Sequence, residues 1–154
     1  MTVRLLAAAL LLVGFGFVPV TVTAQEQNAV QIVQPWARAS IGTSRPSAAY
    51  LTVQNNGRES VWLVGVETPV AVRAEIHRII QDGDVLSMQS AGDVEIPAGG
   101  SVTLAPGGLH VMLMNLRQPI VRGGEFPLAV RFSNGERVEL TVPVMGPGSR
   151  GPGQ

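Results

Sequence analysis

The sequence predicts an all-β fold in a single domain, an antiparallel β-sandwich or Greek-key barrel. Three observations carry that prediction. Short runs of apolar and β-branched residues alternate with polar ones, Gly, Pro, Asn and Asp separate the runs, and no amphipathic helical period of useful length appears. The clearest run is LHVMLMNL at 109–116, where a strand's period of two puts Leu109, Val111 and Leu113 on one face. That face is an ordinary core face. The opposite face carries His110, Met112 and Met114, which is neither simply apolar nor a solvated polar surface.

The chain begins with a leader. Arg4 is followed by an apolar run from Leu5 to about Val18, and Val22-Thr23-Ala24 place small residues before Gln25. This is the layout of a secretory signal peptide, residues 1–24, cleaved between Ala24 and Gln25. The run is short against the roughly 20 residues of a membrane span, Gly14 and Gly16 interrupt it, and Pro19 follows it. No other stretch is apolar for long enough to cross a bilayer, so export as a chain with no membrane span is expected.

Residues 25–145 form the expected domain, long enough for one core. Nine strands are predicted, at 30–39, 48–54, 60–68, 71–80, 85–90, 101–104, 110–116, 128–133 and 137–144. QDGD at 81–84 joins two of them. SNGE at 133–136 suits a hairpin in which positive φ is cheap at Asn134-Gly135. PAGG at 97–100 and APGG at 105–108 are further turns. The tail 146–154, GPGSRGPGQ, has little apolar surface to bury and is expected to be disordered.

Composition excludes several functions. The formal net charge is zero and there is no lysine, so nucleic-acid binding has no electrostatic support. Cysteine is absent, which removes thiol catalysis, iron–sulfur clusters, thiolate zinc sites and blue copper. The glycine pairs open no helix that could cradle phosphate. Neither histidine has a partner of the G-x-S-x-G type, so a hydrolytic triad is not supported.

The remaining chemistry lies in two histidines and their neighbouring methionines. Ten residues separate His77 from Met88, twenty-one separate Met88 from His110, and one separates His110 from Met112. His77 and Met88 flank the 81–84 turn, so their strands are expected to pair. His110 and Met112 leave one face of one strand. Two imidazoles and two thioethers suit Cu(I) far better than hard cations, which take carboxylate oxygens, or zinc, which takes Cys, His and carboxylate. Taken singly, each of these residues is more often packing or a hydrogen-bonding group; their joint spacing carries the reading. Met114 and Met145 read as core. A metal-free exported β-sandwich module is the alternative. A copper-dependent oxidase or reductase would need acid–base residues grouped near these four, and none are.

The spacing His77-x10-Met88-x21-His110-x-Met112 resembles the signature of the periplasmic copper chaperone family PCu(A)C. PWARAS at 35–40, AAYLTVQNNG at 48–57, EIHRI at 75–79, IPAGGSVTLAPGGLHVMLMNLRQP at 96–119 and FPLAVRF at 126–132 also look like family sequence. The resemblance spans residues 34–144. It implies a cupredoxin-like Greek-key barrel without a cupredoxin's cysteine. It implies one Cu(I) per chain at an open site formed by His77, Met88, His110 and Met112. It also implies a monomeric carrier, not an enzyme, that works in the periplasm and donates copper to the CuA centre of cytochrome c oxidase, alone or with Sco-type assembly factors. The family's optional methionine beside the first histidine is Arg78 here, and the tail has neither His nor Met. One site is therefore expected.

Overall fold

Alternating patterns become ten strands in a computed structural model that describes residues 29–152. In chain order they are β1 Val30–Arg38, β2 Ser47–Asn55, β3 Val61–Glu67, β4 Ala71–Asp82, β5 Val85–Ser90, β6 Val94–Ile96, β7 Ser101–Leu104, β8 His110–Leu116, β9 Glu125–Phe132 and β10 Arg137–Met145. No helix occurs among the described residues. The expected leader and its cleavage point lie outside them.

The nine strands read from the sequence are all present, and β6 is added. Its three residues are too few to show a period. β9, the eighth of the strands read from the sequence, starts three residues earlier than expected because Pro127 lies inside it, opposite Thr141 of β10. Proline cannot donate to a second neighbour. Here none is needed, because β3 pairs with β9 only as far as Glu67 opposite Ala129.

The strands form two layers. One runs β5-β4-β8-β2-β1, with β7 on the same side of β2 as β8, and the other runs β10-β9-β3-β6. A short parallel pairing of β1 with β10, Ala37 with Val144 and Arg38 with Met145, joins them. Leu51, Val53, Val111 and Leu113 from the first layer and Leu63, Leu128, Val130 and Val142 from the second are buried in one hydrophobic cluster. Each large apolar side chain so buried contributes about 1.5–3 kcal/mol. The fold is thus the all-β, cupredoxin-like sandwich anticipated above.

Two turns differ from the simplest reading. In the 133–136 hairpin only Gly135 has positive φ, at 87°. Gly135 N donates to Phe132 O, and Asn134 instead accepts at Oδ1 from Glu136 N. The turn is therefore not one with positive φ at both central residues. After β10, Ser149 N donates to Gly146 O, and Arg38 Nε donates to Ser149 O at 3.0 Å. The described part of the tail, 146–152, rests on these hydrogen bonds, which its composition does not announce.

A buried amide organises the end of β2. Asn55 is 1% exposed. Its Nδ2 donates to Glu59 O and Ile96 O, and its Oδ1 accepts from Gly57 N. One side chain thereby holds the 55–59 turn against β6.

One feature of the first layer positions the candidate site. β4 has twelve residues, but its pairing with β8 ends at His77 opposite His110, the first residue of β8. Beyond that point β4 pairs only with β5. The β4–β5 hairpin therefore projects past β8 as an arm, and the two histidines sit where the arm departs.

Candidate metal centre

Strand geometry decides which side chains meet. Residues directly opposite across a pair share a face, as do residues two apart along a strand. His77 is opposite His110, Glu75 is opposite Met112, and Ile79 is opposite Met88. All six therefore lie on one face of the sheet. The other face sends Ile76, Val111 and Leu113 into the core. The alternation read at 109–116 is thus the alternation found.

The four expected site residues are brought onto this one face, across β5, β4 and β8. The imidazole centroids of His77 and His110 are 6.2 Å apart with their planes inclined at 55°. Met88, His110 and Met112 line one cavity of about 290 Å3, and His77 stands beside it on β4. His110 is buried, at 5% exposure, whereas Met88 is 57% exposed. Met114 lies one step further along β8, opposite Arg73, and is not part of the cavity lining. Met145 is opposite Arg38 at the β1–β10 junction.

Hydrogen bonds set the free nitrogen of each histidine. His110 Nδ1 is 3.0 Å from Gly108 O. A carbonyl only accepts, so Nδ1 carries the proton and the Nε2 lone pair is free. His77 is held the other way, with Nε2 3.2 Å from Glu75 Oε2. The Glu75 carboxyl lies below its usual range, first through the hydrogen bond from Arg73 and then through that from His77. An ionised carboxylate accepts, so Nε2 of His77 is the donor. His77 Nδ1 is then a lone pair, buried and without a hydrogen-bond partner. A buried ring nitrogen left unmatched costs stability unless another acceptor of its electrons arrives. A metal ion is one.

The donor set is soft. Among the described residues no cluster of three or more His, Cys, Asp or Glu side chains could hold a metal ion. Any ion at this face would rely on the thioethers, which favour Cu(I). Tyr50 also lines the cavity, packed on Trp36 with centroids 4.4 Å apart and with the Arg38 guanidinium 5.5 Å above its ring. Burial pushes its phenol upward and Arg38 partly offsets this, so Tyr50 is neutral at ordinary pH.

Glu75, Gly108, Tyr50 and the two arginines of the cavity, Arg38 and Arg45, were not among the residues singled out in the sequence. Glu75 and Gly108 carry a legible signal, since each stands two residues before a histidine. Tyr50 and the arginines come from other strands and loops and carry none.

Glu75 also gives a pH prediction. Its folded pKa is lower than its unfolded one, so its contribution to stability is present above the usual carboxylate range and lost as pH falls through the folded value. The urea midpoint of the wild type should exceed that of Glu75→Gln near about pH 6–7, and the gap should close toward about pH 3. The pair is surface-exposed, so the gap is small, below about 1 kcal/mol. A gap constant over that range contradicts the assignment.

Comparison with known proteins follows the same lines. The LpqE-like family model, whose description is of a lipoprotein, matches residues 30–144. The chain belongs to this family, the LpqE-like or PCuAC family. Among its relatives, the LpqE-like chain is 33% identical over 121 residues to Lxx21020 of Leifsonia xyli subsp. xyli, whose name also describes a lipoprotein, covering 78% of this chain and 72% of that one. It is 32% identical over 122 residues to RP573 of Rickettsia prowazekii, an uncharacterized protein, covering 77% and 67%. Its fold is that of the apo PmoF2 PCuAC domain, with a TM-score of 0.65, 24% identity and coverage of 80% of this chain and 94% of that one. The Cu(I) form of DR1885 from Deinococcus radiodurans superposes with a TM-score of 0.59 at 28% identity, covering 77% and 80%. The family read from the sequence is the one these structures support.

Proposed function

We propose that this LpqE-like chain is an exported copper carrier, not an enzyme, which holds one Cu(I) between His77, Met88, His110 and Met112. The observation that carries the reading is the pairing of His77 with His110 across β4 and β8, each with one ring nitrogen free, on the face that also bears both methionines. The copper-bound PmoF2 domain and Cu(I)-DR1885 are similar proteins that bind the metal. Neutral donors leave the charge of Cu(I) uncompensated, so binding rests on softness and geometry.

Exposure of Met88 supports release as well as capture. An incoming ligand could displace its thioether first, then Met112, leaving the buried His110 until last. The recipient we propose is the CuA centre of cytochrome c oxidase, reached directly or through Sco-type factors, in the periplasm. No helix among the described residues is long and apolar enough to cross a membrane. The word lipoprotein stays with the relatives, since no cysteine of this chain could carry a thioether-linked lipid.

The test is transfer. Protein loaded anaerobically with one equivalent of Cu(I) should metallate an apo CuA fragment, with or without a Sco-type protein, and itself end copper-free. No transfer in either mixture would overturn the recipient. A failure to hold one equivalent against a weak chelator would overturn the carrier itself.

A further inference from the structure

The cavity beside the proposed ligands has an unexpected charge. Arg38 and Arg45 line it, and no carboxylate does. Arg38 is already engaged, with Nε on Ser149 O and its guanidinium over Tyr50. Arg45 is exposed and makes no ion pair or side-chain hydrogen bond among the described residues. Cationic side chains work against a cationic cargo, so copper retention does not explain them. They are of use to whatever brings negative charge to the mouth of the site. A guanidinium matches a carboxylate in two parallel hydrogen bonds.

The same mouth is apolar at its rim. Leu86 and Met88 share one face of β5, and Ile79 stands opposite Met88 across the hairpin. Ile41 closes the other side of the cavity. Ile41 is 65% exposed and Leu86 67%. Exposed apolar side chains beside an unpaired cation suit a transient protein interface, the apolar groups giving burial and the charge giving orientation.

We propose that this groove docks a partner protein through a loop that presents carboxylates next to its own soft copper ligands. The inference rests on the carrier reading for the identity of that partner, a copper protein. The groove itself stands on Arg45, Ile41 and the projecting β4–β5 arm. A second copy of this chain fits poorly, because a two-fold pairing of this face brings no carboxylate from the copy's cavity lining to Arg45. Carboxylates at the arm tip, Asp82 and Asp84, lie outside the cavity lining.

The test separates docking from copper. Metal-free, 15N-labelled protein is titrated with a synthetic peptide that has two methionines flanked by Asp and Glu, and with the same peptide flanked by lysines. The acidic peptide should shift amides at Ile41, Arg45 and Leu86, weaken as salt rises, and lose most of its effect against Arg45→Glu. The lysine peptide should not. With Cu(I) loaded, transfer to the acidic peptide at low salt should be at least about tenfold faster than to the basic one, and Arg45→Glu should reverse or abolish that preference. Equal response to both peptides, or indifference to Arg45→Glu, would overturn the proposal. So would concentration-dependent dimerisation that perturbs the same residues in the absence of peptide. Cu(I) affinity measured against a chelator is a separate readout: its absence sinks the carrier reading, while the metal-free titration still decides the docking.

Discussion

Replacing Met88 and Met112 together by leucine is expected to lower Cu(I) affinity at least about a hundredfold, about 2.7 kcal/mol, with little change in fold stability. Leucine keeps the volume and the apolar character of each side chain but removes the sulfur lone pair. Met88 is largely exposed and Met112 half-buried, so neither exchange disturbs the core cluster. Both methionines face the cavity that His110 lines, and the histidines alone offer two donors. The measurement is an anaerobic competition with a chromophoric Cu(I) chelator, the wild type and the variant side by side. Equal affinities would mean that the methionines are packing, and the face would then be an ordinary half-buried surface. Oxidation of the same sulfurs to sulfoxide should act in the same direction, because it removes the soft donor.

The largest expected effect on stability comes from a residue remote from the proposed ligands. Asn55→Ala should cost about 3 kcal/mol and lower Tm by about 10 °C. The amide makes three hydrogen bonds to backbone groups of Glu59, Ile96 and Gly57, and it is all but fully buried. Alanine leaves a buried N–H and carbonyls without partners and opens a void beneath the turn. Urea unfolding followed by Trp fluorescence reads the change. A loss below about 0.5 kcal/mol would mean that water replaces the amide and that the turn does not depend on it.

Much of this protein is legible from residue order because the strand period is local. At β8, the interleaving of His110 and Met112 with Val111 and Leu113 specifies which side chains face the core and which do not, and burial follows that alternation. Eight of the remaining strands announce themselves in the same way. The choice of His77, Met88, His110 and Met112 as candidates is likewise a matter of residue type and spacing, and so is the preference for a soft metal ion. Family membership rests on the same stretches.

What the tertiary structure alone decides is register and partnership. His77 and His110 are thirty-three positions apart, and nothing local says that β4 leaves β8 at that pair. Non-local register depends on how two layers pack, since a one-residue slip would turn the buried set outward. The same holds for Asn55. Its sequence context reads as a surface turn, yet the arrival of β6 buries it and supplies one of its two acceptors, Ile96 O. Arg38, Arg45 and Tyr50 meet the face that bears His110, Met88 and Met112 only because β1, β2 and the loop between them fold beside the β4–β5 arm. Residue order determined the donors and the alternating faces. The partners that set the free nitrogen of each histidine, Glu75 and Gly108, are local. Packing of the two layers determined that the two histidines meet and which charges surround them, because register and cavity walls come from elements distant in the chain.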